Sequence, residues 1–293
     1  MKKQTETKGT SSLIKEQLKQ VDEYFKEFNS EVLRQPKEKE HPVEIAFAIS
    51  LKSKTVSRNW VGVQANLAKT LKSIFGNTDQ NFRILVAGHE KPDLEELQRK
   101  CVTWLSVDFA PPVDSGRFSS DKREKRRVIG AYLREKGYCG YFMPLDADDW
   151  IHYRFIEFIR LHPISDAYIL NKGVMVNVSL KEAWLRSRFY RGCGSSAVFY
   201  FSKDDFPLSS KKEDVQGTPF AVVDQDHKKV AEHMEKIHRG HRMIDFPLVT
   251  WVLGHGDNNS VLKGKKDNGI SADDYHAIGE ELEDWFYDYF KIT

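Results

Sequence analysis

The stretch that most restricts this chain is Tyr141-Phe142-Met143-Pro144-Leu145-Asp146-Ala147-Asp148-Asp149-Trp150, where a short apolar run breaks into three carboxylates. An apolar run of that length reads as a buried strand, and open α/β sheets place their ligands outside the carboxyl ends of such strands. Crowded carboxylates repel one another, so a strand tip that gathers them points to a cation. A hard divalent ion carrying a diphosphate would serve. The plainer reading is a strand-to-helix turn in which Asp148 or Asp149 caps a helix from Trp150 to Leu161. Capping accounts for one acid and leaves two.

The residues before this stretch predict the sheet that holds it. Pro42 introduces the β-branched run Val43 to Leu51, the polar turn Lys52-Ser53-Lys54-Thr55 follows, and Trp60, Val63, Leu67, Leu71 and Ile74 then stripe a helix that ends at Gly76-Asn77. Phe82 to Gly88 is a second buried strand, Pro92-Asp93 opens a short helix through Lys100, and Val102 to Phe109 is a third strand. Alternating strands and helices predict an α/β fold with a mostly parallel sheet. Neither a G-x-G-x-x-G nor a G-x-x-x-x-G-K-[ST] pattern occurs, so a nucleotide would have to be held by other means.

Ser119-Ser120-Asp121 offers N-caps for a helix running to Gly137, and Lys122, Arg123, Lys125, Arg126 and Arg127 crowd its first turns. The helix dipole favours anions there, so these cations cost stability unless an anion answers them. Lys122 and Lys125, three apart, share a face from which they can reach a diphosphate at the acidic tip. A solvated charged face is the competing reading. A nucleic-acid surface is disfavoured, because 45 basic and 43 acidic residues leave a net charge of only +2 and no aromatic cluster accompanies the basic run.

Beyond the acids, Asp166 to Asn171 and Gly173 to Ser179 read as a hairpin turning at Asn171-Lys172-Gly173, which makes the sheet mixed. Arg191-Gly192-Cys193-Gly194-Ser195-Ser196 is a small-residue loop ahead of the strand Ala197 to Phe201, and such a loop lets backbone approach a sugar or phosphate. Phe220 to Val223 reads as a short strand, and Val230, Met234 and Ile237 as a helical stripe. The run Phe246 to Leu253 again delivers polar groups at its tip, Gly254-His255-Gly256-Asp257-Asn258. Flanking glycines free the backbone to aim His255, and a neutral imidazole can ligate a divalent metal beside carboxylates. Ile278, Leu282, Trp285, Phe286 and Tyr289 stripe a closing helix.

At the other end, the chain before Ser11 is polar, and Ile14, Leu18, Val21, Phe25 and Phe28 then form one helical stripe. The stripe is expected to pack on the body of the protein; its alternative use is a homodimer contact. Arg34 to His41 is a charged connection. No apolar run approaches the ~20 residues of a membrane span, and the start Met1-Lys2-Lys3-Gln4-Thr5-Glu6 lacks a signal-peptide core. A cytoplasmic protein is expected, peripheral to a membrane at most. Cys101, Cys139 and Cys193 are scattered, and read as reduced thiols, mostly buried.

In this order, the strands and helices, the basic helix and Leu145-Asp146-Ala147-Asp148-Asp149 resemble the nucleotide-sugar-binding half of family 2-like glycosyltransferases of the GT-A fold, over roughly Val43 to Ser260. The resemblance implies a GT-A-like domain over 42–260, preceded by a polar N-terminus and amphipathic helix (1–41) and followed by a C-terminal helix (261–293). It implies that Asp146 and Asp148 hold Mn²⁺ or Mg²⁺ against the donor diphosphate, with His255 as a further ligand. Ser50, Asp121, Lys122, Lys125, Asp146, Ala147, Gly194, Ser195, Asp257 and Asn258 would bind the nucleotide-sugar. The acceptor would be a carbohydrate or glycolipid, and the use polysaccharide or glycoconjugate synthesis. An inverting mechanism needs a carboxylate base; Asp149 is the first candidate, with Asp205 and Asp226 as alternatives. A glycoside hydrolase needs its two carboxyl groups roughly 5–9.5 Å apart across a bond, which adjacent acids on one tip fit poorly. A nucleotidyltransferase of related fold and a non-catalytic carbohydrate-binding module are the remaining rivals.

Overall fold

The computed structural model describes residues 12–32 and 43–293. The chain falls into two compact units, Met1–Glu40 and His41–Thr293. In the first, α1 (Leu13–Val32) carries Ile14, Leu18, Val21 and Phe25 along one face, as the 3.6-residue period requires. The polar start before Ser11 and the charged connection Arg34 to His41 lie outside the described residues.

The second unit begins with β1 (Ile45–Ser50), α2 (Trp60–Phe75), β2 (Phe82–Gly88), β3 (Val102–Ser106), α3 (Phe118–Glu135), β4 (Gly140–Leu145), β5 (Trp150–Ile151) and α4 (Phe155–Leu161). It continues through β6 (Ala167–Leu170), β7 (Lys172–Asn177), β8 (Glu182–Ser187), β9 (Ala197–Phe201), α5 (Lys212–Gln216) and α6 (Val230–Lys236). It closes with β10 (Arg242–Ile244), β11 (Val249–Leu253), β12 (Val261–Leu262), β13 (Lys265–Lys266), β14 (Glu280–Glu281) and α7 (Asp284–Tyr289).

The fold is α/β, with a mixed, mostly parallel main sheet of seven strands in the order β10-β6-β9-β4-β1-β2-β3. In it β9 runs antiparallel to β4 and β6, and the other neighbours are parallel. A strand buried on both faces reads as a continuous apolar run. In β1, Ala46 and Ala48 join a core with Ile129 and Leu133 of α3, while Phe47 meets the rings of Phe82 and Phe155 on the opposite face. A second sheet has the order β14-β8-β7-β11-β5, and β12 pairs with β13 alone. Among the described residues no helix is long and apolar enough to cross a membrane.

Several elements depart from the expectations. Trp150-Ile151 forms a strand antiparallel to β11, and the helix starts only at Phe155; two backbone pairings with a neighbour outweigh local helical spacing. The Asn171 turn makes no hairpin, for β6 enters the main sheet and β7 the second. The partner of β7 is β8, whose mixed sequence Glu182-Ala183-Trp184-Leu185-Arg186-Ser187 carries no apolar run. Phe220 to Val223 lies in a 3₁₀ turn opened by Pro219, which supplies a fixed φ at its start. Ile278 is exposed and precedes α7, which spans only Asp284–Tyr289. The three cysteines are free, but only Cys193 is fully buried.

Candidate functional site

The chain runs outward from β1 to β2 and β3, then returns to the other side of β1 with β4. That reversal between β1 and β4 is a topological switch point, outside whose carboxyl ends a crevice opens. A cleft of about 760 Å³ lies there; Ser50 from the tip of β1 and Asp146, Ala147 and Asp148 from the tip of β4 line it.

The two acidic and imidazole-bearing tips converge by a route the sequence does not announce. They belong to different sheets. The link is β5, which leaves the acidic turn and pairs at once with β11, Trp150 opposite Thr250. Asp149 Oδ1 accepts the Val252 N–H at 3.1 Å, and His255 Nε2 stands 2.7 Å from Asp148 Oδ2. Gly254 and Gly256 both have positive φ, +82° and +86°, a conformation that glycine adopts without strain. The imidazole between them is thereby turned back on Asp148.

The carboxylates of Asp146, Asp148 and Asp149 offer oxygens that lie within 4.8 Å of one another. These are hard donors of the kind Mg²⁺ and Mn²⁺ take, and the set fits a divalent cation. Asp149 is fully buried. Its carboxyl is pushed well above the usual range by burial and by the charges of Asp148 and Asp146, which is the repulsion a cation would relieve. Asp149 also accepts from Ser195 Oγ at 2.6 Å and Cys193 Sγ at 3.3 Å. Burial and Asp149 in turn push the Cys193 thiol up, so the sulfur stays protonated and is no nucleophile. Burial opposes ionisation of Asp146, but the charges of Lys122 and Arg126 outweigh it and hold that carboxyl down.

The basic helix divides its cations. Lys122 pairs with Asp146 on the cleft wall, and Arg126 Nη2 stands 3.4 Å from the same carboxylate. The buried Arg126 Nε has no hydrogen-bond partner among the described residues. Lys125 does not face the cleft. It is wholly buried, donating to Leu51 O at 2.8 Å and to Asp121 Oδ2 at 2.6 Å, and burial pulls its pKa down against the Asp121 charge. Asp121 bridges it to His89 Nε2 at 2.9 Å. The helix starts earlier than expected, at Phe118, behind a 3₁₀ turn capped by Asp114. Arg126, four residues from Lys122, is the partner that helical spacing offered and the i+3 choice of Lys125 missed.

Around β11 the polar groups are engaged with one another. Asp257 accepts from Lys52 Nζ at 2.7 Å, Ser57 Oγ at 3.1 Å and the N–H groups of Arg58 and Asn59 at 3.1 and 2.9 Å. Burial opposes its charge, but Lys52 and these N–H groups hold its pKa below the usual range. Asn258 Nδ2 donates to Val252 O, and buried Asn177 binds the carbonyls of Asp267 and Ile270. Burial favours the neutral His255 ring, but the hydrogen bond to Asp148 and its charge prevail and raise the pKa.

Ser50 donates to Lys122 O at 3.0 Å. Gly194 lies under Asp146 and Lys122, where a Cβ would sit 3.3 Å from Asp146 Oδ2. Ser195 is buried and bridges the Asp146 N–H to Asp149, so it shapes the tip from behind the cleft. Of the three candidate bases, Asp149 is sealed from an acceptor hydroxyl by its burial. Asp205 is tied to Arg239 at 2.6 Å and lies away from the cleft. Asp226 lines the cleft and is half exposed. A further wall, made of Arg186, Arg191, Trp251 and Tyr275, carries no sequence signal, since it depends on how β8 pairs.

No protein-family model matches the chain, and no curated protein matches it. Among solved structures, it is similar to the inositol-1-phosphate CTP transferase from T. maritima, with 14% identity, a TM-score of 0.40, and coverage of 86% of this chain and 96% of that one.

Proposed function

We propose that this protein is a metal-dependent glycosyltransferase that moves a sugar from a nucleotide-sugar donor to a hydroxyl of a carbohydrate acceptor. The observation that carries the reading is the convergence of the β4 and β11 tips, His255 on Asp148 at 2.7 Å, beside cations on the wall of one cleft at the switch point. A Mg²⁺ or Mn²⁺ held by Asp146 and Asp148 supplies Lewis-acid stabilisation of the departing diphosphate. Asp149 adds charge from behind. His255 fixes the Asp148 carboxylate through Nε2; to serve as a further ligand its neutral ring would give up that hydrogen bond or the one its Nδ1 accepts from the Asp257 N–H.

Lys122 and Arg126 place two positive charges where negative charge grows on the leaving group, the most effective position for preorganised charge. Ser50 and Ala147 at the strand tips and Gly194 across from them bound the space for the donor, and glycine leaves room for a sugar against Asp146. Asp121, which lines the cleft, steadies the start of the basic helix through Lys125 and His89. Asp226 is the carboxylate placed to take the proton of an acceptor hydroxyl.

A thermal-shift panel of UDP, GDP, CMP, their sugars and the nucleoside triphosphates UTP, GTP and CTP, each with and without Mn²⁺, tests the reading. Metal-dependent stabilisation by a nucleoside diphosphate and its sugar is the expected result. Stabilisation by nucleoside triphosphates alone would turn the assignment to a nucleotidyltransferase, and no response to any nucleotide would leave a carbohydrate-binding module.

A further inference from the structure

The cleft has a second wall, built from the second sheet. Across adjacent strands Trp251 of β11, Met175 of β7 and Trp184 of β8 lie in one row, which puts their side chains on one face. Arg186 is two residues beyond Trp184 on that face. Its guanidinium lies 4.4 Å from the centroid of Tyr275 and 5.5 Å from that of Trp251. Tyr275 also stacks on Trp184, with centroids 6.0 Å apart. Gly192 makes this packing possible: a Cβ there would come 2.5 Å from Arg186 Nη1 and 2.7 Å from the Trp251 ring, closer than side-chain carbon tolerates.

This arginine differs from Lys122, Arg126 and Lys52 in the same cleft. Lys122 and Arg126 face Asp146, and Lys52 faces Asp257. Arg186 has the Met175 sulfur at 3.5 Å and the Tyr275 hydroxyl as partners, and among the described residues no carboxylate stands within ion-pair distance of it. A stacked guanidinium keeps its planar fork oriented, so little rotamer freedom is lost when it grips an anion. Arg191, exposed on the same wall, adds a second positive charge. The 3₁₀ turn Phe189–Arg191 packs against the turn His227–Lys229, which follows Asp226 directly.

We propose that the Trp251–Arg186–Tyr275 wall is the acceptor subsite and that it selects a glycan carrying a negative charge, a carboxylate or phosphate on the sugar, with the aromatic rings taking the sugar face. The proposal presupposes that the cleft transfers sugar. The geometry gives the ligand a reason to be acidic: aromatic rings alone would accept a neutral sugar, whereas a stacked, half-buried guanidinium without a carboxylate partner gains most from an anion.

Calorimetric titration of trigalacturonate, mannose 6-phosphate and maltotriose into the whole protein tests it, with Mn²⁺ plus nucleoside diphosphate binding measured on the same samples. At least one of the two acidic probes is expected to bind tenfold or more tightly than maltotriose, and which one identifies the anion as carboxylate or phosphate. Arg186→Gln is expected to erase that preference with nucleotide binding intact, and Arg186→Lys, which keeps charge but not the planar fork, to retain part of it. Maltotriose binding as well as the acidic probes, an unchanged preference in Arg186→Gln, or no glycan binding in a protein that does bind nucleotide overturns the subsite. Failure of the wild type to bind any nucleoside diphosphate overturns the glycosyltransferase reading instead. If Arg186→Gln does not fold, the Arg186→Lys comparison decides alone: full acidic preference in that variant counts against the fork.

Discussion

The β4 tip and the β11 tip meet in one cleft and are built on opposite principles. At β4, Asp146, Asp148 and Asp149 crowd together within 4.8 Å, and the pKa of Asp149 is driven up. At β11, Asp257 is satisfied by Lys52, Ser57 and two backbone N–H groups. One tip gathers three acids whose mutual repulsion is only partly answered, by Lys122, Arg126 and His255, and the other engages its polar groups in its own architecture. Two histidines show how far setting decides a charge: burial pushes His152, beside Tyr289, down to about 3, while Asp148 draws His255 up against its burial. A binding centre can thus carry electrostatic strain because the loop beside it is fixed independently.

The comparison breaks most easily at Asp257. Asp257→Ala leaves Lys52 and two N–H groups without their acceptor in a nearly closed setting, and is expected to cost about 3–5 kcal/mol in urea denaturation, as removal of one partner of a buried pair does. The variant should lose nucleotide binding along with stability. Lys125→Ala belongs to the same structural class despite its place in the basic helix. It strips Asp121 of its ion pair with a wholly buried partner and leaves a cavity, and should lower stability by about 2–4 kcal/mol.

His152 sharpens the contrast through pH. Above its ordinary 6.5 both folded and unfolded chains hold it neutral, and it contributes nothing. Between 6.5 and about 3 only the unfolded chain takes up the proton, so stability falls by about 1.4 kcal/mol per pH unit on this account. His152→Gln should show a shallower acid limb than the wild type when urea midpoints are compared at pH 7 and 4.5. The smallest effect on folding belongs to Lys122→Ala, whose side chain faces the cleft. Nucleotide affinity should fall about tenfold, one charge-assisted contact's worth, with only a small fall in melting temperature, because the partly exposed ion pair with Asp146 is lost while a cation that opposes the dipole of α3 goes with it.

Much of this was legible in the sequence where a strand is buried on both faces and ends in turn residues. β1, β2, β4 and β11 are such strands, and the polar tips of β4 and β11 were read from them directly. The i,i+4 geometry of α3 was available too, though only packing separates Lys122, on the cleft, from Lys125, in the core. What stayed hidden depends on distant pairing. Trp150 and Ile151 are strand residues because β11 lies beside them, and Phe220 to Val223 look extended until Phe220 is seen packed on Phe142 and Phe206. The Arg186 wall needs β8, a strand with no apolar run, set against β7. Spacing alone leaves Asp149 open as a base; the Ser195 and Val252 contacts that bury it come from 46 and 103 residues away.

The claim that the β4 tip is a charge-storing cation site can be tested on Asp148 alone. Asn in its place still accepts from His255 and relieves repulsion with Asp146 and Asp149, so folding should survive while the charge is lost. Mn²⁺ is titrated calorimetrically into wild type and Asp148→Asn with the nucleoside diphosphate that stabilises the wild type. Metal-dependent binding should vanish in Asp148→Asn while its urea midpoint matches or exceeds that of the wild type. Undiminished Mn²⁺ binding in that variant, or loss of binding only because the protein unfolds, would contradict the account.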